Sequence, residues 1–274
     1  MLDAATIDQL AAELDASART RQPLTHFSQR FPGMTIDDGY RVGRAWVALQ
    51  RGRGDPVIGH KIGLTSRAMQ LSSQIDEPDF GTLLGSMKLV AKAGEELQIP
   101  ANRFLSPRVE VELAFVLKRE LRGQVTVDEV LAATEYVTPA IEIIDARIEQ
   151  FDRHTKAPRK VFDTISDNAA NAAIVVGEGD DRYRANPLTT DLPWCGAILK
   201  LNGAVEETGL AAGVQGHPAI GIAWLAEKLQ HWGDALQPGQ IVLAGSFTRP
   251  VPAKAGDRFE ADYGPLGVLH FRFV

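Results

Sequence analysis

The 274 residues include 29 basic and 35 acidic side chains, for a formal charge of −6, and are 45% hydrophobic, an ordinary globular composition that allows one large domain or two modest ones. The acidic balance leaves no basic face for a nucleic-acid backbone, and the single cysteine, Cys195, excludes a disulfide framework and any multi-cysteine zinc or iron–sulfur site. The opening MLDAATIDQL lacks the basic and apolar regions of a signal peptide, and the longest apolar run, around 169–176, is interrupted by Asn171, so a soluble, cytoplasmic protein without membrane or nucleic-acid partners is expected.

Ile7, Leu10, Ala11 and Leu14 recur at helical spacing behind Asp3 and predict a first helix. After Pro23 and the Phe31-Pro32-Gly33 turn, Thr35 reads as an N-cap, with Asp37 and Asp38 favoured in the first turn by the helix dipole. Tyr40, Ala45, Trp46 and Leu49 give this second helix an apolar side, and Arg51 to Pro56 end it. Residues 1–55 are therefore expected to form a helical segment ahead of a domain over 56–274. Val57–Leu64 reads as a strand, with Thr65 capping the short helix that follows. Val109–Leu117 alternates most cleanly, with Glu110, Glu112 and Ala114 on one face and Val111, Leu113 and Phe115 on the other. Thr126 to Glu129 is a capping box opening a helix to about Thr134. Pro218 starts another that reaches Trp232 and buries Ile222, Leu225, Ala226 and Leu229. Strands are expected at Gln240–Ala244, Arg258–Asp262 and Val268–Phe273. The order, helices and then a strand-rich region, is that of an α+β fold.

Glu110 and Glu112 share one strand face roughly 6.5–7 Å apart, where two carboxylates repel unless a cation joins them. Oxygen donors suit Mg²⁺, Mn²⁺ or Ca²⁺, whereas zinc would recruit His or Cys. The alternative is the solvated face of an edge strand. Glu142 lies in the apolar run PAIEIID (139–145), and buried carboxylates are rare unless paired or metal-bound. Asp145 is its rival there, with Arg147 as a structural partner. Lys61, inside an apolar, glycine-rich run, suits a general base, a Schiff-base former or a fixed positive charge, or a lysine that snorkels to the surface. Asp79 stands on an apparent turn before an apolar pair, where turn formation alone would explain it. The polar stretch 163–171 fits either a wet cleft or a capped turn. Arg249, in a loop behind a strand, fits either a substrate carboxylate or a surface ion pair. Cys195 and the six histidines show no catalytic or metal-binding spacing.

The segments GHKIGLTSRAMQ (59–70), EPDFGTLL (77–84), PRVEVELAFVL (107–117), PAIEIIDAR (139–147), VFDTISDNAANA (161–172), GSFTRPV (245–251) and DYGPLG (262–267) follow in this order over nearly the whole chain. Together they resemble the hydratases of meta-cleavage pathways, within the fumarylacetoacetate hydrolase superfamily. The resemblance implies a mixed β-sandwich roll with a helical N-terminal segment, and a Mg²⁺ or Mn²⁺ site formed by Glu110, Glu112 and Glu142. It makes Lys61 and Asp79 the acid–base pair, and a pentameric or decameric homo-oligomer the assembly. The implied reaction adds water to a 2-oxo or 2-hydroxydienoate dicarboxylate of seven carbons. Arg249 first, and Arg159 second, are expected to bind the distal carboxylate, with Ser166 and Asn168 as further substrate contacts. An oxalocrotonate-type decarboxylase and a pentenoate hydratase are the neighbouring alternatives within the resemblance. An acylpyruvate hydrolase would need a His–Glu pair that has no counterpart here, and a non-catalytic partner subunit would not need all five charged residues.

Overall fold

Asp3 opens α1 (Ala4–Thr20) by accepting a hydrogen bond from the Thr6 amide, and Thr35 and Asp38 form the reciprocal capping box of α3 (Ile36–Gly52). A single turn, α2 (Phe27–Arg30), lies between them. The computed structural model describes residues 1–178 and 181–274. Four further helices follow: α4 (Arg67–Ser73), α5 (Val127–Ala133), α6 (Val161–Ser166) and α7 (Pro218–Gln230). The cap of α4 is Ser66, whose hydroxyl accepts from the Met69 amide, and not Thr65, which is buried beside Gly245. No helix among the described residues is long and apolar enough to cross a membrane.

The strands are β1 (Val57–Gly63), β2 (Asp79–Leu84), β3 (Lys88–Lys92), β4 (Glu96–Ile99), β5 (Arg108–Leu117), β6 (Thr134–Ile144), β7 (Asn171–Glu178), β8 (Gly196–Leu201), β9 (Ala204–Leu210), β10 (Ile241–Leu243), β11 (Val251–Pro252), β12 (Arg258–Asp262) and β13 (Val268–Phe273). They form two mixed sheets. The larger runs β2-β1-β10-β5-β6-β7-β3, with β11 also paired to β5, and the smaller runs β4-β13-β12-β8-β9. This is the α+β roll that the motifs imply. β5 lies inside the larger sheet, antiparallel to both β6 and β10, so an edge-strand reading of its glutamates does not hold.

Alternation decides what each face does. Ile62, Val109, Val111, Leu113, Phe115, Ile141, Ile143 and Val175 point toward the smaller sheet and α7, and form the main core with Phe259, Phe271, Phe273, Ile222 and Leu225. Burying each such side chain contributes roughly 1.5–3 kcal/mol. The opposite face carries Leu83, Ala114, Ala140, Ile174 and Leu243 as a smaller apolar floor. Lys61, Asp79, Glu110, Glu112 and Glu142 stand on this face by strand parity. α1 and α3 pack Leu10, Leu14, Val42 and Trp46 against Leu84, Met87 and Ile148. α3 also lies close against α6, because a Cβ at Gly39 or Gly43 would stand 3.0 Å from the carbonyls of Phe162 and Ile165. The N-terminal helices thereby hold the polar stretch that enters β7.

Candidate active site

The antiparallel pairing of β5 with β6 sets Glu110 directly opposite Glu142, and Glu112 opposite Ala140. Glu110, Glu112 and Glu142 each offer an oxygen within 4.8 Å of the others, the one such set of three His, Cys, Asp or Glu ligands among the described residues. Glu112 and Glu142 are buried and Glu110 is partly exposed. One oxygen of Glu112 accepts from the Gly245 amide at 2.8 Å, while Glu112 Oε1 is buried without a hydrogen-bond partner. Burial first, and then the charge of Glu142, push Glu110 up to about 8 and Glu112 well above the usual carboxylate range. Three crowded carboxylates, one with an orphaned oxygen, fit a hard divalent cation, which would remove both the repulsion and the unmet acceptor.

Lys61 and Asp79 meet beside this cluster. Lys61 Nζ stands 3.6 Å from Glu142 Oε1, with both side chains buried. β1 and β2 pair Gly63 with Asp79, and a Cβ on Gly63 would lie 2.3 Å from Asp79 Oδ1 and 2.9 Å from Lys61 Nζ. The two functional groups therefore flank the one side of Gly63 that has no side chain. Burial alone would depress the Lys61 ammonium, but Glu142, Asp79 and the two β5 glutamates outweigh it and hold the lysine charged. Burial raises Asp79, opposed by Lys61, and its Oδ1 is buried without a hydrogen-bond partner. Asp79 is the first residue of β2 and no turn residue.

The expected substrate contacts separate. Arg249 is 84% exposed and bound to Glu207, with Nε 2.8 Å from the carboxylate; the structure leaves it on a surface ion pair instead of bringing it to the cluster. Arg159 is the inward one. Its side chain is 12% exposed, Nη1 donates to the Ile148 carbonyl at 2.9 Å and to Asp167 at 3.3 Å, and its charge is felt at Asp79. Ser166 donates its hydroxyl proton to the Phe162 carbonyl at 2.8 Å, one helical turn back, which leaves its oxygen to act only as an acceptor. Asn168 uses its amide on β2, accepting from the Thr82 N–H at 2.8 Å and donating to the Thr82 carbonyl at 2.9 Å. It braces the strand of Asp79. Asp145 does not pair with Arg147: it accepts the amides of Leu105, Ser106 and Ala146, while Arg147 binds Asp167.

One contact escapes sequence reasoning. Asn171 Nδ2 donates to Glu142 Oε1 at 2.8 Å. Counting alternate residues back from Ala173 and Val175 places Asn171 on the core face. However, the β6–β7 register slips between Ile143 and Ile144, from Ile143↔Ala173 to Ile144↔Asn171. That bulge turns Asn171 onto the face of Glu142. The interruption of the apolar run by Asn171 is the signal that remained in the sequence.

The chain matches the family described as fumarylacetoacetate (FAA) hydrolase C-terminal over residues 57–274. It is 50% identical over 275 aligned positions to the 2-oxo-hept-4-ene-1,7-dioate hydratase of Escherichia coli, covering 100% of both chains. It is 38% identical to the 2-hydroxyhexa-2,4-dienoate hydratase of Comamonas testosteroni, covering 94% of this chain and 92% of that one. Among solved structures, 4-oxalocrotonate decarboxylase from Pseudomonas putida G7, complexed with magnesium and adipate, superposes with a TM-score of 0.91 at 27% identity, covering 100% of this chain and 99% of that one.

Proposed function

Because the chain belongs to the fumarylacetoacetate hydrolase family, we propose that it is a divalent-metal-dependent hydratase. It adds water to 2-oxohept-4-ene-1,7-dioate, or to its dienol 2-hydroxyhepta-2,4-diene-1,7-dioate, giving 4-hydroxy-2-oxoheptane-1,7-dioate. The observation that carries the reading is Lys61 and Asp79 meeting at Gly63 beside the carboxylate cluster, in a chain half identical to a hydratase of that name. Glu110, Glu112 and Glu142 would hold Mg²⁺ or Mn²⁺, which supplies Lewis-acid polarisation of the 2-oxo group, typically worth several kcal/mol. Asp79, in its acid form, delivers a proton to C5 of the dienol. As carboxylate it then takes one from the water that adds at C4. The 2-hydroxyl of the dienol loses its proton to solvent as C5 is protonated; Lys61 gives its proton to C3 last and is recharged from solvent, so both groups end the cycle as they began. Each transfer is worth about 10²–10⁴-fold.

Arg159 is the group for the distal carboxylate, and the solved relative at 27% identity holds magnesium together with a dicarboxylate, adipate. Residues 1–55 act as a helical buttress for a catalytic domain over 56–274. By family resemblance the enzyme works in the cytoplasm as a pentamer or a decamer.

The same solved relative favours a second reading, a decarboxylase that uses the same metal site. Disappearance of the dienol chromophore, followed in EDTA and after re-addition of Mg²⁺ with CO₂ release measured in parallel, tests both. Loss in chelator, recovery with Mg²⁺ and no CO₂ are expected. Full activity in excess chelator overturns the metal site, and stoichiometric CO₂ overturns the hydratase.

A further inference from the structure

Asn171 is fully buried, yet only half of its amide is used. Nδ2 donates to Glu142 Oε1 at 2.8 Å, whereas Oδ1 is buried with no hydrogen-bond partner. A buried amide oxygen left without a donor costs about 1–3 kcal/mol, so its position calls for an explanation. The backbone leaves it little freedom. The bulge between Ile143 and Ile144 aims the side chain at Glu142, and the Asn171 carbonyl accepts from Arg147 Nη2 at 2.8 Å. Arg147 is in turn fixed on Asp167, which also receives the Arg147 and Ile148 amides. The amide is therefore held from behind by a buried ion pair.

On Glu142 both donors converge on one oxygen. Lys61 Nζ lies 3.6 Å from Oε1, and Asn171 Nδ2 binds the same atom. A carboxylate held at one oxygen is fixed in orientation, and Glu142 is one of the three glutamates that offer an oxygen within 4.8 Å of one another. We propose that Asn171 is a positioning residue of the metal site: Nδ2 fixes the orientation of Glu142, and Oδ1 takes a hydrogen bond from a water in the hydration shell of the bound cation. The inference rests on the metal reading of the three glutamates and adds a residue that holds one ligand in place. Partners of this kind typically contribute 10–100-fold to metal affinity.

The test is direct binding of Mn²⁺, followed by the electron paramagnetic resonance signal of the free ion, in wild type, Asn171→Ala, Asn171→Asp and Asn171→Ser. Asp keeps the shape of Asn and replaces the donor by a second acceptor, and Ser serves if Ala fails to fold. Wild type should bind one ion per chain. Ala and Ser should weaken it about 10–100-fold, and Asp should bind Mn²⁺ with an altered signal or affinity because the donor to Glu142 is gone. Circular dichroism of the metal-free proteins separates this from a folding defect. Dissociation constants and signals within twofold of wild type in every folded variant overturn the assignment of Asn171 while leaving the metal reading intact. A wild type that binds no Mn²⁺ overturns the metal reading itself.

Discussion

Glu110 and Glu142 are register partners on adjacent antiparallel strands, so two carboxylates face each other inside the larger sheet. Like charges placed directly opposite destabilise a sheet, and here Glu112 and partial burial add to the cost. A metal-free chain is thus less stable for carrying the set, which is the cost expected of a binding site. Glu110→Gln should raise the melting temperature of EDTA-treated protein. A gain of about 1 kcal/mol corresponds to roughly 2–4 °C for a chain of this size. The same variant with Mg²⁺ should lose activity by at least about a hundredfold. A lower melting temperature in EDTA, or full activity with Mg²⁺, would contradict this account.

Gly63 should tolerate no side chain. A Cβ there falls 2.3 Å from Asp79 Oδ1 and 2.9 Å from Lys61 Nζ, so Gly63→Ala must push the two functional groups apart. A displacement of about 1 Å can cost about 10²-fold in rate, whereas overpacking of this kind costs about 1–3 kcal/mol in stability. We expect kcat to fall about a hundredfold in a protein that still folds, as judged by circular dichroism. Gly33→Ala is the control, because a Cβ there has nothing within 4 Å. Equal kcat values for the two variants would sink the argument.

Charge set against an apolar background made much of the site legible. Lys61, Glu110, Glu112 and Glu142 interrupt runs that otherwise read as buried strands, and a buried charge needs a partner wherever the fold places it. The capping residues of α1, α3 and α5 were equally plain, because a cap depends on neighbours three residues away. What stayed hidden depends on long-range placement. Arg249 and Arg159 look alike in sequence; Glu207 on β9 holds one at the surface, and Asp167 behind α6 draws the other inward. Asn168 looks like a ligand until β2 supplies its two backbone partners. Asn171 is masked by a bulge, since one extra residue reverses the face that period two assigns.

Arg159, and not Arg249, should set the preference for a dicarboxylate. Among the described residues Nη1 takes both side-chain hydrogen bonds of Arg159, to Ile148 and Asp167, so the other N–H groups remain for a substrate anion. A hydrogen bond to a charged group is worth about 1.5–3 kcal/mol, or roughly 10–100-fold. Arg159→Gln should lower the ratio of kcat/KM for the heptadienedioate over a pentadienoate monocarboxylate by that factor. Arg249→Ala should leave the ratio within twofold, because its guanidinium is paired to Glu207 and mostly in solvent. The opposite pattern would restore Arg249 as the anchor.

His60, next to Lys61 on β1 but on the other face, should make the protein acid-sensitive. It is buried, and its Nδ1 has no hydrogen-bond partner. Burial, partly offset by Asp234, pushes the imidazole from 6.5 down to about 4. The folded state therefore prefers neutral His60, and between pH 6.5 and 4 the unfolded chain binds more protons. The contribution is complete above about pH 6.5, falls as the pH drops through that window, and levels off below about pH 4. Its full size is about 3 kcal/mol. Urea unfolding at equal protein concentration, repeated from pH 7 to pH 4, should show wild type losing about that much more stability than His60→Gln, whose side chain does not titrate. Parallel pH profiles for the two proteins would mean that His60 takes up its proton in the folded state as readily as in the unfolded one.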